Sequence, residues 1–355
     1  MRGVKTKGRN EAIECCRLLL SVMVVFIHCQ FPGTFGQWMN CLARAGVPFF
    51  FMVSGYFAYG AGEQVMRRRV VSAAKLNIVA TGLFVLWGAY KTRYLDYGSI
   101  KGWLSWVLSP QSLSNWLVVN VNPFGGHLWY LSALLGILCV LYLYVRWKKE
   151  NPDYRLLYMA GLLLGLLELL LDSVAKTAGF DVPYMLYRNG LVWGFPVFCL
   201  GLFLREYGDR ILQTYGLTKG KLLAVIVTGA GLSLLQWTGT GPAEMPVGTW
   251  FEVAALLLLL VSLPEVSGGR KWLAAVIRKF GGLSTWIYVT HLLWLEIYER
   301  ILLDPVLTYW AGFSAGEQLE ACLRPVVVVM ISLLTGALWL GVSGGAKAVC
   351  TKRKL

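Results

Sequence analysis

Long apolar runs separated by short polar, often basic, stretches recur along the whole chain. They predict ten helices, near residues 12–30, 45–61, 73–90, 128–146, 156–175, 185–204, 221–238, 249–264, 283–303 and 324–344. Each is roughly 16–20 residues long, enough to cross a hydrocarbon core about 30 Å thick. No internal repeat or low-complexity segment interrupts them. The expected fold class is therefore all-α, a polytopic membrane protein with residues 1–355 forming one integral-membrane domain. Composition points the same way. The chain is 57% hydrophobic and 15% charged, with a mean hydropathy of +0.58, whereas soluble domains are about 45–50% apolar and about 25% charged.

Charge then orients the spans. With the N-terminus inside, six cytoplasmic segments hold 25 of the 33 Lys and Arg residues. The eight others are Arg44, Lys91, Arg93, Lys101, Lys176, Arg188, Arg300 and Arg324. This positive-inside bias places both termini in the cytoplasm of a cell (plasma or inner) membrane. The net charge of +14 is accounted for by topology and anionic lipid, so the bilayer is the expected partner and nucleic acid is not. The first helix has no small-residue cleavage site after it and reads as a retained signal anchor. The chain ends soon after the tenth helix, so no appended soluble domain is expected. Eight cysteines without a CxxC pair indicate neither a metal site nor a disulfide framework. One outside pairing, Cys41 with Cys322, stays open. The stretch 91–127 reads as the longest outside loop. Its Trp103, Trp106 and Trp116 either seat it in the interface as a lid or belong to an ordinary solvated loop.

The first span contains RLLLSVMVVFIH, from Arg17 to His28. These two residues are eleven apart, which at about 100° per residue is three turns plus about 20°, so both project from one face. The rise is about 16 Å, putting Arg17 near the cytoplasmic surface and His28 in the middle or outer half of the membrane. An ionisable group there costs roughly 2.5–3.5 kcal/mol on insertion scales and usually faces a cavity. The pair predicts a water- or ligand-filled groove running inward along this face. The alternative is that Arg17 snorkels to the interface while His28 bonds a neighbouring carbonyl. Only two other histidines exist: His127 opens the fourth helix at its outer end, and His291 lies near the middle of the ninth.

Together these residues resemble the membrane-bound acyltransferase 3 family. Glu14-Cys-Cys-Arg17 and Arg17-x10-His28 resemble its first-helix motif, with Glu where Asp is commoner. FFFMVSGYF, with Ser54, Gly55 and Tyr56, is similar to its second-helix signature. HLWYL at 127–131 resembles its His-x-Trp-aromatic step, and GLSTWIYVTH, with Ser284, Tyr288 and His291, its late helix. The run RRRVVSAAK departs from the family's Arg-Arg-x-x-Arg pattern. Individual roles for Arg67, Arg68 and Arg69 are therefore not fixed.

The resemblance implies a membrane O-acyltransferase. It would move an acyl group, often acetyl from acetyl-coenzyme A, to a hydroxyl of a cell-envelope carbohydrate or similar acceptor. Acyl-CoA would be a co-substrate, with no permanently bound cofactor and no metal. The alternative is a small-solute (amino-acid-like) transporter or flippase on the same fold. Donor phosphates suit guanidinium forks such as Arg17 and the Arg67–Arg69 cluster, although topology alone also accounts for that cluster. His28 is the candidate general base or covalent acyl carrier. Ser54 either donates to an oxyanion or seals a tight helix contact. His291 is a candidate second acid/base or substrate ligand, and Arg17, His28 and His291 are together the candidate catalytic residues. The candidate binding residues are Glu14, Ser54, Tyr56, Arg67, Arg68, Arg69, His127, Trp129 and Tyr288; for His127 an interfacial anchor with Trp129 and Tyr130 is the competing reading.

Overall fold

A computed structural model describes residues 10–149, 152–264, 281–303 and 314–352. The basic clusters expected at 2–9 and 270–279 lie outside them. The described residues form helices and turns and no strand. We number the helices α1 (Glu11–His28), α2 (Gly33–Ala43), α3 (Gly46–Ala58), α4 (Glu63–Tyr90), α5 (Ile100–Val107), α6 (Pro110–Val119) and α7 (Trp129–Lys148). There follow α8 (Arg155–Leu169), α9 (Phe195–Thr214), α10 (Lys219–Thr240), α11 (Val247–Val261), α12 (Leu283–Ile297) and α13 (Ser314–Lys352).

Among the described residues, six stretches are long and apolar enough to cross a membrane: Gly33–Ala58, Glu63–Leu95, Gly126–Lys148, Arg155–Thr177, Lys219–Thr240 and Leu319–Gly341. Val247–Val261 is a shorter apolar helix. The chain is therefore all-helical and multi-pass. α1 stands outside the six and carries Glu11, Glu14 and Arg17 in its first two turns.

Two sequence expectations change here. The stretch 91–127 is no open loop, because it holds α5 and α6. Ser99 caps α5 by accepting from Gly102 N, and Ser109 caps α6 at Ser112 N with Pro110 following as the first helical residue. Trp103 packs against Gly88 and Phe124, and the Trp116 indole donates to Ser132 Oγ at 3.1 Å, whereas Trp106 is exposed. The helix expected over 185–204 is broken. Asn189 accepts from Leu191 and Val192 N–H and starts a π-helical turn, Gly190–Gly194, from which α9 proceeds. Further π turns run through Lys91–Leu95, Leu170–Val174 and Tyr298–Leu303.

The chain divides into two compact units, one drawn from Met1–Gly46 with Leu259–Leu355 and the other from Val47–Leu258. In the first unit, Val25 and Cys29 of α1 pack with Leu283, Ile287 and Leu295 of α12 and Val328 of α13. Cys41 is buried and Cys322 exposed, each a free thiol, so the pairing left open above is not made.

In the second unit, glycine lets backbones touch. A Cβ on Gly55 would fall 2.0 Å from Phe198 O, and one on Gly201 2.0 Å from Met52 O, so α3 and α9 meet without side chains between them. An aromatic core forms around Phe51, with Tyr130 at 4.6 Å and Trp193 at 5.8 Å between ring centroids.

Candidate functional site

The first unit brings together the residues of the Arg-x10-His motif and the late histidine. α1 is unbroken from Glu11 to His28, so Arg17 and His28 share a face as the spacing requires. At the first end Arg17 Nη1 lies 3.5 Å from Glu14 Oε1, the two groups 32% and 10% exposed. At the other end the exposed His28 ring faces His291, with ring centroids 5.2 Å apart. His291 is 1% exposed. Tyr288 lies on the same helix, 6.3 Å from the His291 ring.

Local geometry fixes the tautomer of His291. Its Nδ1 lies 3.0 Å from Ile287 O and 2.9 Å from Tyr288 O. Two carbonyl oxygens can only accept, so Nδ1 carries the hydrogen and the lone pair belongs to Nε2. The helix thus presents a ring-nitrogen lone pair rather than a donor. That is the arrangement a general base needs.

The groove expected between Arg17 and His28 is not open along α1. Ser21 and Val24 occupy the same face and are buried; Ser21 donates to Leu18 O, and Val24 packs so closely against Gly46 that a Cβ there would lie 2.8 Å from it. The two ends of the motif are therefore separate sites, an ion pair at one and an imidazole pair at the other. Sequence reasoning passed over a third feature beside the second end. Arg324 grips Glu320 through two bonds of 2.8 Å and reaches Glu299 at 3.2 Å, and this network acts electrostatically on Cys29, the residue after His28. The Glu320–Arg324 step of four on one helix was the available signal.

The second unit holds the other candidates, and most are engaged structurally. Ser54 Oγ donates to Phe50 O at 2.8 Å, one turn back, beside the close contact at Gly55; it serves that contact rather than standing free as a donor. Tyr56 Oη accepts from Arg205 Nη1 at 3.0 Å, with the guanidinium 5.1 Å over the ring. Arg69 Nη2 donates to Phe57 O at 2.7 Å, closing the end of α3, while Arg67 and Arg68 are exposed. In the turn after α3 burial pushes the Tyr59 phenol up to about 12, so it stays neutral. His127 is not at an open mouth. It is buried, edge-on to Phe84 at 4.8 Å between ring centroids. Trp129 is covered by Arg188, whose guanidinium lies 5.2 Å from its ring and pairs with Glu244 at 3.2 Å.

The described residues thus make a multi-pass helical membrane protein with two imidazoles side by side at one helix end. Its family follows from comparison. The family model for the acyltransferase 3 domain, described as an acyltransferase domain, matches residues 10–342, and the chain belongs to that family. Among curated proteins it is similar to a serine/alanine racemase of Enterococcus gallinarum, 29% identical over 304 residues that cover 80% of this chain and 40% of that protein. It is also similar to an amino-acid racemase of Enterococcus faecalis, 25% identical over 225 residues, 57% of this chain and 29% of that protein. The chain thus spans well under half the length of these relatives. No solved structure matches.

Proposed function

We propose that this chain is a membrane O-acyltransferase. It takes an acyl group, acetyl in the simplest case, from cytosolic acyl-CoA and transfers it to a hydroxyl of a cell-envelope carbohydrate or similar acceptor. It does so from the cell membrane with ten spans and both termini in the cytoplasm. Family membership supports the reaction class, and one observation carries the assignment of the centre: His28 and His291 lie ring to ring at the end of α1.

The chemistry follows from those two rings. A hydroxyl becomes nucleophilic as its proton leaves, and an imidazole titrates where it can take that proton. His28, the exposed ring of the pair, is the base that meets the acceptor. Its partner His291, whose Nε2 holds a lone pair, is the second acid/base group. The oxygen attacks the thioester carbonyl, the C–O bond forms, the C–S bond breaks, and the departing thiolate receives the proton. A covalent acyl-imidazole on His28 divides the same sequence into two transfers.

Donor phosphates fall to the basic end. Arg17, held by Glu14, is the guanidinium aligned with the motif; the exposed Arg67 and Arg68 of the second unit are separate candidates for phosphate. Because Ser21 and Val24 fill the face between Arg17 and His28, the pantetheine arm does not run along that stripe.

The test is reconstitution. Wild-type chain in vesicles, given labelled acetyl-CoA and envelope glycan, is expected to produce acylated glycan, and His28→Ala is expected to produce about 10²–10⁴-fold less while still inserting. Undiminished product in that variant would remove His28 from the reaction. Uptake of a labelled small solute without any acyl donor would favour the transporter reading.

A further inference from the structure

The second unit contains a carboxyl that acyl transfer does not use. Glu168 sits at the end of α8, thirteen residues past Arg155, or about 20 Å along the helix. It is fully buried at 0% exposure, and neither of its oxygens has a hydrogen-bond partner among the described residues. The neutral donor beside it, the Trp250 indole N–H on α11, stops short of hydrogen-bonding geometry.

The charges around Glu168 are committed elsewhere. Asp172, one turn on and equally buried, holds Lys176 Nζ at 2.6 Å through one oxygen and accepts from Met245 N at 3.0 Å through the other. Lys176 also donates to Pro242 O at 2.9 Å and lies 5.5 Å from the Tyr187 ring centroid. Glu244, before α11, is paired with Arg188. Elsewhere on α11, Glu252 packs against α10 at Gly229. From α9 the residues lining the cleft along α8 are Pro196, Cys199, Leu200 and Phe203, none of them an acid or a base at neutral pH. Of these two buried acids, Asp172 alone is paired with the Lys176 cation. An isolated carboxylate in such a place is not sustained; it takes up a neutralising partner.

We propose that Glu168 is a proton-binding site, held as the carboxylic acid and serving as the group through which this unit takes up and releases a proton inside the membrane. A metal cation fits less well, since it needs several oxygen ligands and the nearest second carboxylate is already bound to Lys176 and Met245 N. Two features suit proton exchange. α8 passes directly into the π turn Leu170–Val174, an irregularity common at functional positions. An apolar cleft of about 410 Å³ opens on the same helix, lined by Gly161, Gly165 and Leu169 with Pro196 and Trp250, though not by Glu168 itself.

Infrared spectroscopy of the full chain in lipid tests this. The wild type is expected to show a protonated-carboxyl C=O stretch at neutral pH that shifts in D2O and is missing from Glu168→Gln. Superposable spectra would overturn the proposal. Dicyclohexylcarbodiimide, an apolar reagent for protonated carboxyls, is expected to label Glu168, less as pH rises and equally with or without Na⁺. Protection by Na⁺ at constant pH would make this a metal-cation site instead and overturn the proposal, as would an unlabelled wild type. Glu168→Gln reproduces a neutral acid in size and polarity, so it is expected to insert and to unfold at the wild-type midpoint. A collapsed midpoint would mean that a carboxylate charge is needed there, against the proposal.

Discussion

The three histidines occupy two kinds of surroundings. In the first unit His28 and His291 face each other across 5.2 Å, one exposed and one with its hydrogen pinned by two backbone carbonyls. In the second unit His127 is packed edge-on against Phe84, with Gly125 beside it. All three lie in or at the mouth of apolar segments, and all three fall in motifs of the same family. What separates them is the neighbour. In the proposed reaction, the ring that meets another ring is the one that moves a proton. The His127 ring packs on a phenyl group in a different unit.

Substitutions can break this contrast. The largest effect is expected for His28→Ala, a loss of about 10²–10⁴-fold in acyl transfer, the range general base catalysis supplies. Transfer measured in vesicles checks it, with insertion as the control. Next is Gly55→Ala in the second unit. The added methyl meets Phe198 O at 2.0 Å and should lower stability by about 1–3 kcal/mol, as overpacking generally does; thermal unfolding in detergent reads this out. Arg17→Lys keeps the charge and loses the fork. A hydrogen bond to a charged group is worth about 1.5–3 kcal/mol, so donor KM should rise on the order of tenfold or more with kcat little changed. The smallest effect is expected for His127→Phe, which keeps an aromatic ring against Phe84. Transfer should stay within about threefold of wild type, about 0.7 kcal/mol.

The sequence made one half of this contrast readable. An eleven-residue step on an unbroken helix sets two groups on one face, and α1 runs unbroken through both. Family resemblance supplied His291, and periodicity placed it within a span. Their face-to-face pairing was not readable, because it depends on how α1 packs on α12 through Val25, Ile287 and Leu283, contacts between distant parts of the chain. The groove failed for a related reason. Serine at 21 and valine at 24 are compatible with an open or a closed face, and packing of Val24 against Gly46 closed it.

Other features were readable and were passed over. Ser99 and Ser109-Pro110 are helix-start signals inside what read as a loop. Arg188-Asn189-Gly190 is a turn signal inside what read as one helix, and the chain breaks there. Arg69 read as one of three equivalent basic residues. Its bond to Phe57 O, which separates it from Arg67 and Arg68, arises only once α4 folds back beside the end of α3.

The central claim is that His28 and His291 act as one reacting centre, and a double-mutant cycle on acyl transfer addresses it most directly. Rates would be measured for His28→Ala, His291→Ala and both together in vesicles with matched insertion. Groups that work as a unit are strongly non-additive, so the double variant should be no slower than the slower single one. If the two losses multiply, or if His291→Ala transfers at the wild-type rate, the rings are neighbours without a shared task and the account is wrong.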